Sequence, residues 1–273
     1  MIRVDICDPA DPRLADFRDL KRADRRPDRP GGRGLVIAEG TVVVRRLIAS
    51  RYPLRALLGV PRRYLELTEE PAGDLADLPV PFYVADAETM AATVGFHLNR
   101  GVLATADRPT FPPAADLLAA SRRVAVLEGI GDHENMGAIF RNAAALGIDA
   151  VLLAGGCADP LYRRSVRVSM GNVLAVSFAP IAELGSGGSD LLHANGYRII
   201  ALTPRADAVA LAEVGVAPAQ RIAVLLGSEG PGLTASALAA ADVRARIPMA
   251  PGVDSLNVAT AGAIAFAAFA PEL

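Results

Sequence analysis

Polar side chains follow an apolar, strand-like run in the segment GIGDHENMGAIFRNAAALG (Gly129–Gly147). Asn135 stands just before a predicted helix that starts at Gly137, and Arg141 projects from the first two turns of that helix. In open parallel sheets, ligands bind in the loops that follow the strands, so both residues are candidates for a functional site. The same residues also fit a plain interpretation, an asparagine that caps the helix and an arginine in solvent.

The segment LLGSEGPGL (Leu225–Leu233) places three glycines and a proline around one carboxylate, Glu229. Glycines at a strand end permit close backbone approach or positive φ, so main-chain N–H and C=O groups could line a pocket. The order GxxGxG differs from the dinucleotide fingerprint GxGxxG, and no GK[ST] follows as a phosphate-binding loop requires. The alternative is a wide turn with Glu229 in solvent.

The segment IPMAPGVDSLNVATAGAIAFAAF (Ile247–Phe269) passes from a strand through a turn into a long apolar helix. We expect Ser255 to be the N-cap of this helix and Asn257 to lie in its first turn. The helix is otherwise almost free of polar groups, so the amide of Asn257 needs a partner in another loop or in a ligand.

Short apolar runs alternate with helical patterns in this half of the chain, which predicts βαβ units and a parallel sheet covered on both faces. The first hundred residues show a looser α/β pattern, and the proline-rich stretch near residue 110 resembles a linker. We therefore predict a small α/β domain over residues 1–107, a linker over 108–117 and a second domain over 118–273. The predicted strands of the second domain are 124–128, 150–154, 174–179, 198–203, 221–227 and 243–249.

The composition limits the class of protein. The 273 residues are 52% hydrophobic with a net charge of −2, so the chain can fill a large core. Basic residues outnumber acidic ones in the first 63 residues, which favours either an anion-binding surface or a solvated charged helix. Two distant cysteines, Cys7 and Cys157, indicate neither a disulfide framework nor a zinc site and fit a reducing cytoplasm. No apolar run reaches the length of a membrane span.

The three segments together resemble the motifs of the SpoU/TrmH family of SPOUT RNA ribose 2′-O-methyltransferases, in the same order and over about 150 residues. The resemblance implies a parallel sheet with a deep trefoil knot. It further implies that the first domain is a small L30e-like substrate-binding domain. The segment LVIAEGTVVVRRLIAS resembles the strand–helix signature of that domain. Asn142 stands where the family often has threonine.

The resemblance implies S-adenosylmethionine (AdoMet) as the cofactor, S-adenosylhomocysteine as the product and no metal. Main-chain groups of the glycine-rich loop would bind the cofactor, and apolar side chains would enclose the adenine. The implied cofactor-binding residues are Leu225, Gly227, Glu229, Gly230, Ile247, Met249, Ser255, Leu256 and Asn257.

The implied catalytic residues are Arg141, Asn135, Glu229, Ser255 and Asn257. An arginine stays protonated in proteins, so we expect Arg141 to orient an RNA phosphate and stabilise the forming alkoxide. Asn135 would hold the ribose or Arg141. Glu229 and Asn257 would link the loops, and Glu229 would orient Arg141 of a facing subunit, since the family acts as a homodimer.

RNA is the expected partner, with ribosomal RNA favoured over tRNA because a separate first domain is present. The implied RNA-binding residues are Lys21, Arg22, Arg25, Arg26, Arg29, Arg33, Arg100, Arg163, Arg164 and Arg167. Two other function classes stay open. One is a non-catalytic RNA-binding module of the same fold, and the other is a nucleotide-binding oxidoreductase on an ordinary doubly wound sheet.

Overall fold

A computed structural model describes residues 1–20, 34–68, 78–217 and 219–270. The chain divides into two compact units. The first comprises Met1–Thr110 together with Leu161–Leu174, and the second comprises Phe111–Pro160 together with Ala175–Leu273.

The described part of the first unit is a mixed sheet with helices packed against it. Its strand order is β1-β4-β3-β5-β2, in which β5 runs antiparallel to β2 and β3 while the other pairs are parallel. The α/β pattern predicted for the first hundred residues is confirmed. The strands are β1 (Ile2–Asp5), β2 (Val36–Glu39), β3 (Leu54–Gly59), β4 (Pro81–Val84) and β5 (Val102–Ala106), and the helices are α1 (Thr41–Ile48), α2 (Pro61–Thr68) and α3 (Ala87–Val94).

The second unit contains the predicted parallel sheet, in the order β10-β12-β9-β11-β6-β7-β8 within the described residues. The central strands β6 and β11 are buried along nearly their whole length, so both of their faces are covered. The strands are β6 (Arg123–Glu128), β7 (Ala150–Leu153), β8 (Ser177–Pro180), β9 (Tyr197–Leu202), β10 (Val209–Ala210), β11 (Arg221–Gly227) and β12 (Val243–Arg246). The helices are α4 (Ala114–Ala120), α5 (His133–Ala145), α7 (Gly188–Ala194), α8 (Ala235–Ala240) and α9 (Val258–Ala268), with α6 (Arg163–Val168) assigned to the first unit.

Two helices of the site begin at other residues than the sequence predicted. Helix α5 begins at His133 because the Asp132 carboxylate accepts from the N–H groups of Glu134 and Asn135, at 2.8 and 2.9 Å. Asn135 is therefore inside the helix and its side chain is free for another contact. In α9 the N-cap is Asn257 rather than Ser255. A helix begins where a side chain first satisfies its free N–H groups, and several residues in each loop could do so.

The domain boundaries also differ from those expected. Helix α4 begins at Ala114, inside the predicted linker 108–117, because Leu118 of this helix is buried in the core of the second unit. Segment Leu161–Leu174, expected in the second domain, packs in the first unit. There Arg46 Nη1 donates to the Met170 carbonyl at 2.7 Å. Among the described residues, no helix has the length and apolar character needed to cross a bilayer.

Candidate active site

A cavity of about 410 Å³ opens where β9, β11 and β12 end and α9 begins. Its walls come from the loop after β11 and from the connection between β12 and α9, as the sequence placed them. The predicted residues that line it are Gly227, Glu229, Gly230, Ile247, Met249, Ser255, Leu256 and Asn257.

Leu225, which the sequence predicted to bind the cofactor, does not line this cavity. Its side chain is fully buried in the core of the second unit, and Leu226 lines the cavity instead. Successive side chains of a strand point to opposite faces, so only one of the two leucines can face the cavity. Sequence reasoning missed Leu202, Thr203 and Pro204, which line the cavity from the end of β9. The sheet order, with β9 beside β11, is what places them there.

The glycine-rich loop after β11 is a closed turn. A Cβ on Gly227 would lie 2.3 Å from the Leu233 nitrogen, so the two ends of the loop touch at this glycine. Ser228 Oγ donates to the Gly232 carbonyl at 3.1 Å, and the Gly232 N–H donates to the Ser228 carbonyl at 3.0 Å. Gly230 and Gly232 have φ of 81° and 73°, a region that favours glycine. Main-chain groups therefore form much of this wall.

Three side chains, one from each sequence motif, meet beside the cavity. Asn135 Nδ2 donates to Glu229 Oε1 at 2.8 Å, and Asn257 Nδ2 donates to the same oxygen at 3.2 Å and to Asn135 Oδ1 at 2.8 Å. Asn257 Oδ1 accepts from the Ala259 and Thr260 N–H groups, which fixes which side of this amide donates. We call these three residues the Asn–Glu–Asn network. These hydrogen bonds tie the first turn of α5 and the N-cap of α9 to the glycine-rich loop.

A smaller cavity of about 150 Å³ adjoins the large one. Asn135 and the 129–132 loop before α5 line it, and it shares Ser228, Glu229 and Val258 with the large cavity. The shared residues border both cavities, so the two cavities adjoin at Glu229. Two molecules held in the two cavities would therefore meet at Glu229.

Arg141 is exposed on α5, and within the described residues it makes no hydrogen bond or ion pair. It lies six residues after Asn135, which is roughly 240° around the helix. Within one chain the structure does not bring Arg141 to the Asn–Glu–Asn network. The neighbouring Asn142 has a structural contact, because its Nδ2 donates to the Ala259 carbonyl at 2.8 Å and ties α5 to α9.

The predicted RNA-binding residues of the first unit have different surroundings. Arg100 and Arg164 are exposed. Arg163 is less accessible than expected, because its guanidinium stacks 4.8 Å above the Phe96 ring and burial lowers its pKa. Arg167 lies 3.9 Å from the buried carboxylate of Glu39. The residues Lys21, Arg22, Arg25, Arg26, Arg29 and Arg33 lie outside the described part of the chain.

The described residues also include no group of three or more His, Cys, Asp or Glu side chains placed to hold a metal ion. Cys7 and Cys157 are free thiols, and burial raises the pKa of Cys157.

Comparison with known proteins gives a consistent family assignment. Residues 122–267 match the SpoU rRNA Methylase family. An uncharacterized tRNA/rRNA methyltransferase of Mycobacterium tuberculosis is 56% identical over 263 residues, which cover 96% of this chain and 90% of the relative. The 23S rRNA (guanosine(2553)-2′-O)-methyltransferase RlmP of Bacillus subtilis is 30% identical over 148 residues, 54% of this chain and 57% of RlmP.

Among solved structures, the AdoMet-bound rRNA methyltransferase from Sinorhizobium meliloti has a similar fold. Its TM-score is 0.79 at 23% identity, with 97% of each chain covered. The fold likeness extends over both units, and the family match contains all three motifs of the site. The chain therefore belongs to the SpoU rRNA methylase family.

Proposed function

We propose that the protein transfers a methyl group from AdoMet to a ribose 2′-hydroxyl of RNA, with ribosomal RNA as the substrate. The observation that carries this proposal is the Asn–Glu–Asn network between two adjoining cavities, one suited to a cofactor and one to a polar acceptor. The 2′-hydroxyl as acceptor is supported by the name of the Bacillus subtilis relative, and ribosomal RNA by the name of the family.

The large cavity fits AdoMet. Its volume is in the range of small-molecule sites, and Leu226, Ile247, Met249 and Leu256 give it apolar walls for an adenine. The glycines leave main-chain groups accessible for the polar edges of the ligand. When bound, the cofactor supplies an electrophilic methyl group on a positively charged sulfur. The Glu229 carboxylate at the cavity wall complements that charge.

The acceptor ribose would occupy the smaller cavity, beside Asn135. The network then holds the hydroxyl against the cofactor, and positioning of this kind contributes strongly to the rate. Arg141 supplies a fixed positive charge for the RNA phosphate and for the oxygen as its proton leaves. Because a guanidinium stays protonated, Arg141 is not the proton acceptor.

A homodimer would complete the site. Arg141 is exposed and reaches no member of the network in its own chain, so it would meet Glu229 of a second subunit. Helix α9 supports this arrangement, because its outward side is apolar and Ile264 is 39% exposed. A second copy that covers this face would bury it and bring α5 close to the other active site.

The finer fold features also belong to this proposal. The deep trefoil knot of the family would be made by the last helix, α9, and the loop before it passing through another loop. The first unit would be L30e-like and bind RNA through its arginines, among which Arg100 and Arg164 are exposed. We expect the enzyme in the cytoplasm, in keeping with its two free cysteines.

Membership of a methylase family argues against the oxidoreductase alternative. The test of the proposed function is a methyl-transfer assay with the purified protein, labelled AdoMet and either ribosomal RNA or tRNA. We expect label in ribosomal RNA. A protein that binds AdoMet yet labels neither RNA would instead support the non-catalytic module.

A further inference from the structure

A buried carboxylate outside both cavities holds the end of the glycine-rich loop. Glu128 is the last residue of β6 and is 9% exposed. Its Oε2 accepts from the Thr234 N–H at 2.8 Å, and its Oε1 accepts from the Thr234 hydroxyl at 3.0 Å. Thr234 directly follows the glycine-rich loop and is the N-cap of α8.

Glu128 holds both ends of the loop. At the loop's start, Gly227 lies opposite Glu128 in the pairing of β11 with β6. At the loop's end, Thr234 is bound by the side chain of that same Glu128. Both ends of the loop are therefore fixed to one residue of a central, buried strand. A buried carboxylate is costly unless it is hydrogen-bonded, so the two donors of Thr234 and the carboxylate stabilise each other.

We propose that Glu128 and Thr234 are positioning residues that set the geometry of the cofactor wall. Glu128 lines neither cavity, so it acts through the loop. The loop carries Glu229 and the main-chain groups of Gly227 and Gly230. Its glycines give it many alternative conformations when its end is released. Loss of the clamp between Glu128 and Thr234 therefore moves Glu229 away from Asn135 and weakens cofactor binding. This inference rests on the proposed AdoMet site and is independent of which RNA is methylated.

The test compares Thr234→Ser, Thr234→Ala and Glu128→Gln with the unmodified protein. Thr234→Ser keeps both donors and the helix cap, whereas Thr234→Ala loses the hydroxyl. Glu128→Gln replaces one acceptor oxygen by an amide nitrogen, so only one of the two Thr234 donors keeps an acceptor oxygen on residue 128. Tyr197→Phe is the matched control. It removes buried hydrogen bonds from the Tyr197 hydroxyl to the Leu118 and Ser121 carbonyls, at the start of β9 and far along the strand from the cavity.

The measurements are the dissociation constant of S-adenosylhomocysteine by calorimetry, the melting temperature, and hydrogen exchange of the loop amides without ligand. We expect about tenfold weaker binding and faster loop exchange for Thr234→Ala and Glu128→Gln, as loss of a hydrogen bond to a charged group implies. Thr234→Ser should behave like the unmodified protein. Tyr197→Phe should lower the melting temperature without changing binding.

Unchanged binding and unchanged loop exchange in both damaging variants, with melting temperatures lowered as in Tyr197→Phe, would overturn the positioning role. If the unmodified protein binds no S-adenosylhomocysteine, the proposed function fails instead. The loop exchange then still decides whether the clamp orders the loop. If Glu128→Gln does not fold, the comparison of Thr234→Ser with Thr234→Ala answers the question alone.

Discussion

The Asn135 amide donates a 2.8 Å hydrogen bond to the carboxylate of Glu229, a residue 94 positions further along the chain. Asn257 donates to the same oxygen, so the starts of two helices that are remote in sequence share one acceptor on the glycine-rich loop. The three side chains of the network lie at the border of the two cavities. A new charge on any one of them would disturb the hydrogen bonds that set the geometry of the site.

The substitution Asn135→Asp would place a second carboxylate against Glu229. Repulsion between two carboxylates this close makes ionisation of both unfavourable. The pair would therefore bind one proton at a higher pH than two separate carboxylates. We expect methyl transfer by the variant, relative to the unmodified protein, to be low at alkaline pH and to recover towards acidic pH. The measurement is the ratio of the two rates across the pH range.

The control for this substitution is Asn195→Asp, which makes the same chemical change at the end of α7, where the amide donates to the Leu191 carbonyl. Its rate ratio should not vary with pH. A flat ratio for Asn135→Asp would show that Asn135 and Glu229 are not coupled during the reaction.

The substitution Gly227→Ala should open the glycine-rich loop. The added methyl would lie 2.3 Å from the Leu233 nitrogen, and backbone atoms cannot yield as a flexible side chain can. We expect a loss of about 2 kcal/mol or more in the free energy of unfolding, together with weaker S-adenosylhomocysteine binding. Urea unfolding and calorimetry measure the two effects.

Gly215→Ala is the comparison for Gly227→Ala, because no atom of the described residues beyond its chain neighbours lies within 4 Å of a Cβ at Gly215. It should leave stability and binding nearly unchanged. If Gly227→Ala and Gly215→Ala change stability and S-adenosylhomocysteine binding equally, the closed turn at Gly227 does not shape the cofactor wall.

Removal of the charge at Arg141 should reduce catalysis and spare the cofactor site. We expect Arg141→Ala to lower kcat by about a hundredfold, the usual cost of losing a group that stabilises transition-state charge. The dissociation constant of S-adenosylhomocysteine should stay unchanged, since Arg141 lines neither cavity. Arg198→Ala, at the start of β9, is the control arginine.

Mixing of two inactive proteins tests whether Arg141 acts across a dimer. A dimer of an Arg141→Ala chain with a Glu229→Ala chain would keep one site with both residues intact. Partial activity that appears only after the subunits are exchanged is the expected result. No recovery in verified mixed dimers would place Arg141 and Glu229 in the same subunit's site.

Tyr197 should make stability depend on pH in the alkaline range. Burial raises the pKa of Tyr197 from 10.0 to about 12. The unfolded chain therefore loses this proton first, and the free energy of unfolding falls as the pH rises from about 10 to about 12. Urea unfolding across this window should show the decline in the unmodified protein. The decline should be smaller in Tyr197→Phe, and an equal decline in both would assign it to other groups.

The sequence predicted the parallel sheet and the residues of the network because each motif follows a short apolar run. Choosing between Leu225 and Leu226 required the structure, because β11 is buried on both faces and its apolar pattern has no alternation to read. The N-cap residues Asp132 and Asn257 were not predicted as caps, because several nearby side chains could serve in that role.

The sequence also could not predict that Leu161–Leu174 packs in the first unit. This packing depends on contacts between residues far apart in the chain, such as Arg46 with Met170 and Arg163 with Phe96. The clamp between Glu128 and Thr234 has the same origin. A glutamate at the end of a strand and a threonine before a helix are common, and only the pairing of β6 with β11 brings these two together.

The position of the transferred methyl group tests the central claim most directly. The measurement is alkaline hydrolysis of ribosomal RNA labelled by the purified protein with AdoMet, followed by mass analysis of the fragments. A methyl group on the ribose 2′-oxygen protects the adjacent phosphodiester, so we predict a labelled, alkali-resistant dinucleotide that forms far more slowly with Arg141→Ala. Label on a base, with every dinucleotide cleaved by alkali, would contradict the proposed reaction.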